Sequence, residues 1–275
     1  MKNKIFGQKK ISCPMCFSRN TKYNYLSTID KIKYHICNSC NLYFQSRIHL
    51  LSNKKINSFY NKEYFSKGYS NLSKDYKRRR IQYINDKKYI NKFFLDNKTK
   101  NILDFGCGNG EFIKLFKGKK FGFEFNPDAK VNSSINRINY KEIQKYKYDL
   151  IIMRGVIEHL KNFKDITKNL VKRLKKNGQF VIMATPNSHS YAFIKNKKAF
   201  NQNNERHLFH FNSVNLTEFF LKLGLFNIDL SYPYYDTPYK NFVNDFKKIK
   251  KIKSLKISPP GVGNMMSLVF KKLGS

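Results

Sequence analysis

Asn101-Ile-Leu-Asp104-Phe-Gly106-Cys-Gly108-Asn-Gly110-Glu-Phe112 decides the fold: an apolar strand pattern runs straight into three glycines spaced two apart, and an amphipathic stretch follows. A glycine-rich turn between a strand and a helix permits backbone angles closed to other residues and lets the chain approach a ligand without Cβ interference. The alternation continues outward. Short apolar runs at 101–105, 120–123, 149–153, 179–184, 226–231 and 265–270 read as strands, and amphipathic stretches at 110–116, 163–175 and 214–223 read as helices. Strands alternating with helices predict an α/β fold whose ligands sit beyond the carboxyl ends of the strands.

Two carboxylates frame that edge. Asp104 precedes the first glycine by two residues, and Glu124 closes the second strand in Phe121-Gly-Phe-Glu124, about where a ribose lies and where one carboxylate can accept both hydroxyls. The G-x-G-x-G spacing differs from the G-x-G-x-x-G of dinucleotide sites, and nothing else in the turn is arranged for a pyrophosphate. S-adenosylmethionine is therefore favoured over a dinucleotide, the competing reading of a Rossmann-like, doubly wound, mainly parallel sheet. Phe125 is a candidate neighbour of adenine or an ordinary core aromatic, and Cys107 reads as a small packing residue.

The fourth strand continues as Met153-Arg-Gly155-Val-Ile-Glu158-His159-Leu160. With the glycine turn and Glu124 in order, the chain resembles the class I S-adenosylmethionine-dependent methyltransferases, in the branch whose segment after strand four reads Val-Ile-Glu-His-Leu. Asn177–Ile182 and Thr185-Pro-Asn187 resemble that branch's fifth strand and following turn, and Arg206-His207-Leu-Phe-His210-Phe-Asn212 its substrate-side loop. The resemblance implies that Asp104, Gly106, Gly108 and Gly110 surround the methionine moiety and that Glu124 holds the ribose. Bacterial members with a cysteine ribbon and a Phe-Tyr connector are similar over nearly the whole chain, and many belong to sugar, polysaccharide or other small-molecule pathways. Related ubiquinone-pathway O-methyltransferases hold a divalent metal with an acid three residues before the Glu of Glu-His. That position is Gly155 here, so no catalytic metal is expected. The branch's frequent Glu before His-Leu is Arg206, which suits an anionic group on the substrate, and 132–148 lacks the Asp often found near the adenine amine.

Methyl transfer from a sulfonium is an in-line displacement at an activated carbon, so the protein mainly aligns the reactants and removes a proton. A base titrating near neutrality points to histidine. His159 and His207 are the candidates, with Glu158 an alternative base or cofactor contact, while His189 and His210 read as structural.

Upstream, Cys13-Pro-Met-Cys16 and Cys37-Asn-Ser-Cys40 form two identical knuckles. Four thiolates make a closed tetrahedral site, the pattern of structural Zn²⁺, with 23–36 as the hairpin between the knuckles. A redox dithiol pair or a disulfide framework is the alternative; His35 and His49 are surplus. The expected organisation is a ribbon at 1–50, a connector and helix at 51–97, and the catalytic domain at 98–275. Phe59-Tyr60-Asn-Lys-Glu-Tyr-Phe65 serves as aromatic anchors, and a helix at 73–96 is expected to bury Tyr76, Ile84, Ile90, Phe93 and Phe94, with Lys77–Arg80 solvated.

The formal net charge is +36, carried by 54 Lys and Arg against 18 Asp and Glu. It is mostly Lys and is spread along the chain with abundant Asn, Ile, Phe and Tyr, the composition that AT-rich codons produce. Polyanion binding remains the functional alternative. No stretch approaches the roughly 20 apolar residues of a membrane span, and Met1–Lys10 lacks a signal-peptide core, so a cytoplasmic protein is expected. The basic amphipathic segment Phe246–Leu255 reads as a solvated helix or a surface-binding one. The leading function is a methyltransferase for a small molecule, such as a sugar or polysaccharide precursor. An RNA methyltransferase using ribbon and basic surface is second, although no Asn-Pro-Pro-Tyr-type tetrapeptide follows strand four. An inactive zinc-ribbon interaction module is third.

Overall fold

The structure is a computed structural model that describes residues 11–25, 32–60, 75–127, 129–195, 205–243, 245 and 263–274. Its strands are β1 (Thr21–Tyr25), β2 (Lys33–Cys37), β3 (Tyr43–Gln45), β4 (Asn101–Phe105), β5 (Lys119–Phe123), β6 (Asn136–Arg137), β7 (Tyr148–Arg154), β8 (Leu174–Pro186), β9 (Phe209–His210), β10 (Leu225–Ser231) and β11 (Met265–Lys272). The helices are α1 (Asn53–Ser58), α2 (Asp75–Ile90), α3 (Tyr140–Ile143), α4 (Phe163–Arg173), α5 (Tyr191–Lys195) and α6 (Ser213–Leu221).

Seven strands form the main sheet in the order β10-β11-β8-β7-β4-β5-β6. β4 pairs in parallel with both β5 and β7, β8 continues in parallel beside β7, and β11 alone runs antiparallel to its neighbours. Parallel strands covered on both faces need apolar residues on both sides of the pleat, and β4 and β7 supply them. Ile102, Leu150, Ile152 and Val181 pack with Tyr83, Ile90 and Phe94 around α2 on one face. Leu103, Phe105, Ile151, Met153 and Phe180 pack with Phe163, Leu170, Leu216 and Phe220 of α4 and α6 on the other. The strand order reverses between β4 and β7, and a crevice beyond their carboxyl ends is where such sheets bind ligands.

Three expectations are corrected. The helix expected over 110–116 is only a short 3-10 turn, Ile113–Leu115. The chain has too little room, because Lys117 and Gly118 donate their N–H groups to the Asp96 carboxylate and turn the backbone into β5. The helix expected over 73–96 ends at Ile90, and Tyr83 takes the buried place expected for Ile84, which is exposed. Lys77, Arg78 and Arg80 are exposed as expected, with Arg79 half-buried, and Arg79 and Arg80 line a cavity of about 290 Å³ with Tyr76, Tyr83 and Asn109, beside the glycine turn. The ribbon is also more than a hairpin. β1, β2 and β3 pair antiparallel as expected, but β9 adds a fourth strand from the far end of the chain. Cys13, Cys37, Leu42 and Phe44 share one core with Leu103, Phe163 and Phe209.

The connector behaves as an anchor where it is described, with Phe59 buried; 61–65, Met1–Lys10 and 246–255 lie outside the described residues. No helix among the described residues is long and apolar enough to cross a membrane.

Candidate functional site

The glycine turn leaves the carboxyl end of β4 with φ of +85°, +57° and +81° at Gly106, Gly108 and Gly110. These conformations suit glycine alone, and the packing demands it too: a Cβ on Gly106 would lie 2.6 Å from Val156 Cγ2, and one on Gly110 2.2 Å from Ile135 Cδ1. The N–H groups of Gly106 and Cys107 donate to the Phe123 carbonyl at 2.8 and 2.9 Å, tying the turn to the end of β5. Gly108 N–H donates to Glu124 Oε2 at 2.8 Å, and Asn126 N–H to Glu124 Oε1 at 3.1 Å. Burial pushes the Glu124 carboxyl above its usual range, against the pull of these backbone donors.

Asp104 is buried beneath the same turn, and its Oδ1 has no hydrogen-bond partner. Burial pushes this carboxyl up to about 7, with Arg154 opposing and Glu124 adding to the rise. A buried acceptor without a donor is costly. An unpartnered carboxylate under a Cβ-free cradle, with a second carboxylate at the next strand end, is a donor set that fits S-adenosylmethionine. Phe125 packs edge-on against Phe105 and Phe123. Cys107 is buried, its thiol pushed up by burial, consistent with packing.

Beyond β7 the chain turns at Gly155, whose φ is +63°, into the 3-10 turn Ile157–His159. Glu158 is buried, accepts from Thr185 Oγ1 at 3.1 Å, and is pushed up to about 8 by burial. His159 Nδ1 lies 2.8 Å from the Arg206 carbonyl, which can only accept, so this nitrogen carries the proton. Burial pulls His159 down to about 4, the Arg206 carbonyl opposing and the Arg206 charge adding, which corrects the expectation of a base titrating near neutrality. His207 packs on His159 with ring centroids 4.7 Å apart. Glu158, His159 and His207 each offer a ligand atom within 4.8 Å of the others, an arrangement that could also hold a metal ion, with His207 supplying a donor that Gly155 does not. His210 is buried between Tyr34 and Phe193 and pulled down to about 3 by burial, a packing role. His189 is exposed.

A sequence-family profile described as "Methyltransferase domain" matches residues 76–230, more than half of the chain. The chain belongs to the class I S-adenosylmethionine-dependent methyltransferases. It is similar to the ubiquinone biosynthesis O-methyltransferase of Rickettsia canadensis, 31% identical over 132 residues that cover 42% of this chain and 54% of the relative. The Rickettsia bellii protein of the same name is 30% identical over 132 residues, covering 42% and 53%. The methyltransferase thus spans about half the length of the curated relatives it matches. Its fold is similar to that of an S-adenosylmethionine-dependent methyltransferase from Archaeoglobus fulgidus, with a TM-score of 0.51 at 17% identity over 72% of this chain and 97% of that one. A chain from the complex of the Haloferax volcanii Trm112 methyltransferase activator with a methyltransferase gives a TM-score of 0.56 at 10% identity, over 77% and 97%.

At the other end of the methyltransferase, Cys13, Cys16, Cys37 and Cys40 offer sulfurs within 4.8 Å of one another. The Sγ separations are 3.6 Å for Cys13–Cys40 and 3.5 Å for Cys16–Cys37, and all four thiols are free. A tetrahedron with Zn–S of about 2.3 Å has edges of roughly 3.8 Å, so the cluster fits zinc. His35 instead stacks on Phe44 at 5.6 Å, and His49 is exposed.

Three roles at the site escaped the sequence reading, that of the anchor Tyr60 among them. Tyr60 packs edge-on against His159 at 5.7 Å, and its carbonyl accepts from Asn126 Nδ2 at 2.6 Å, joining the Glu124 corner to the histidines. Arg154 ion-pairs with Asp86 at 2.8 Å and sits over the Tyr83 ring at 4.7 Å. Gln45 and Tyr34 of the ribbon both donate to the His207 carbonyl, at 3.0 and 2.7 Å. Arg154 at a strand's carboxyl end was a usable signal; the other two depend on contacts between distant segments.

Proposed function

We propose that this methyltransferase acts on a hydroxyl of a small, sugar-like molecule held over Glu158, His159 and His207, and that the four cysteines carry a structural zinc. The observation that carries the reading is the cluster of those three side chains, whose ligand atoms lie within 4.8 Å of one another, with Glu158 and His207 buried, His159 half-buried, and Glu158 and His159 on the segment that abuts the glycine turn. When bound, S-adenosylmethionine supplies an activated methyl carbon. Everything else falls to the chain. Asp104 and the three glycines receive the methionine moiety, Glu124 the ribose, and Tyr60 closes the space between the Glu124 corner and His159. His159, neutral and with its Nδ1 proton committed to Arg206, presents Nε2 to the acceptor's proton. The Glu158 carboxyl, kept protonated at neutral pH by its burial, lies 3.9 Å from that nitrogen as a polar neighbour. Relatives named for O-methyl transfer support a hydroxyl acceptor. Reduced cysteine thiols suit the cytoplasm.

The net charge of +36 favours a second reading, an RNA acceptor. Purified protein incubated with methyl-labelled S-adenosylmethionine and a fractionated lysate separates the two. Label in nuclease-resistant small-molecule or glycan fractions, lost in Glu124→Ala, supports the proposal; label removed by RNase replaces it with the RNA reading.

A further inference from the structure

The ribbon's contacts converge on one peptide. Tyr34 of β2 donates its hydroxyl to the His207 carbonyl at 2.7 Å, and Gln45 at the end of β3 donates its carboxamide to the same oxygen at 3.0 Å and to the Glu205 carbonyl at 3.1 Å. Gln45 N–H donates to the Leu208 carbonyl at 2.9 Å, and Leu208 N–H to the Glu158 carbonyl at 2.9 Å. One residue further, Tyr43 and Phe44 pair with His210 and Phe209. The second knuckle is held to the same domain, since Asn215 Nδ2 donates to the Cys40 carbonyl at 3.3 Å and Asn212 Nδ2 to the Asn41 carbonyl at 3.5 Å. Tyr34 and Gln45 are both fully buried.

A free-standing zinc module would have no use for two buried polar side chains aimed at another domain's backbone, because burying them unpaired costs more than an apolar replacement. We propose that the four-cysteine ribbon braces the acceptor-side loop, and that Tyr34 and Gln45 are positioning residues that act through the 205–208 backbone to hold His207 and the Arg206 carbonyl against His159. Cys37 ends β2 and Cys40 lies three residues before β3, so the metal cluster fixes the hairpin that carries both side chains. Loss of the metal then loosens the loop at the histidines while the cofactor corner, built on β4 and β5, stays formed. The proposal rests on reading 205–211 as the acceptor-side loop.

The test uses the full chain with its metal bound. The His159 Nδ1 proton, held by Arg206, gives a downfield NMR signal assigned by its loss in His159→Asn. In Tyr34→Phe, which keeps the ring, and in Gln45→Leu, solvent exchange of this proton is expected to rise about tenfold, the size of one buried hydrogen bond. Zinc content and the S-adenosylmethionine dissociation constant are expected to stay within about twofold. Chelating the metal is expected to remove the signal with cofactor binding retained. Unchanged exchange in both variants overturns the proposal, as does a parallel loss of cofactor affinity, which marks general loosening. Failure of the methyl-transfer reading shows separately, as absent labelling in the wild type.

Discussion

Replacing Gly106 with alanine tests whether the glycine turn and the segment carrying Glu158 and His159 are packed as one unit. At φ +85° a side chain costs about 1–2 kcal/mol. The new methyl would stand 2.6 Å from Val156 Cγ2 and 3.2 Å from Cγ1, so Val156 must retreat by roughly 0.8 Å to restore 3.4 Å of ordinary contact. Overpacking of this kind costs about 1–3 kcal/mol, giving a total of about 2–5 kcal/mol, a large share of a typical domain's stability. Val156→Ala removes both offending methyls. Its combination with Gly106→Ala should therefore recover the overpacking part, leaving a coupling of about 1–3 kcal/mol in a double-mutant cycle read by urea unfolding. Because Val156 directly precedes the Ile157–His159 turn, Gly106→Ala should also depress methyl transfer more than its effect on cofactor affinity accounts for. A Gly106→Ala variant within about 0.5 kcal/mol of wild type, or strict additivity with Val156→Ala, would refute the packing argument.

Other consequences follow from the same geometry. Glu124→Ala removes a carboxylate that organises Gly108 and Asn126 and is proposed to hold the ribose; loss of charge-assisted hydrogen bonds worth about 1.5–3 kcal/mol each should weaken S-adenosylmethionine binding at least ~10-fold by calorimetry. Glu158, raised by burial to about 8, keeps in the folded state a proton that the unfolded chain releases near 4.5, so it costs stability as pH rises between those values. Histidines 159 and 210, depressed by burial, act in the opposite sense below 6.5. The cost is therefore cleanest between pH 7 and 8, where Glu158→Gln should flatten a decline of up to ~1.4 kcal/mol per pH unit in denaturant unfolding. Elemental analysis should find one zinc per chain, lost in Cys37→Ser together with the near-ultraviolet signal of the ribbon tyrosines.

The sheet was readable because its strands are buried on both faces and carry unbroken apolar runs such as Ile102–Leu103 and Leu150–Met153. The glycine turn and the cysteine knuckles were readable because backbone conformation and metal geometry restrict residue type at fixed spacing. The helix at 110–116 misled because Phe112, Ile113 and Phe116 have helical spacing and are buried, yet Asp96 captures the chain at Lys117 and leaves no room for a full turn. β9 was invisible since two residues show no period, and its pairing with β3 joins positions more than 160 residues apart. The tautomer of His159 is set by the Arg206 carbonyl, a backbone atom that side-chain patterns do not report.

A crystal structure with S-adenosylhomocysteine would show directly how the cofactor lies between the Glu124 corner and the histidines. There the ribose hydroxyls are expected on Glu124 and the sulfur facing His159 and His207. A sulfur turned toward Arg154 and Asp86, or a ribose away from Glu124, would contradict the proposed site.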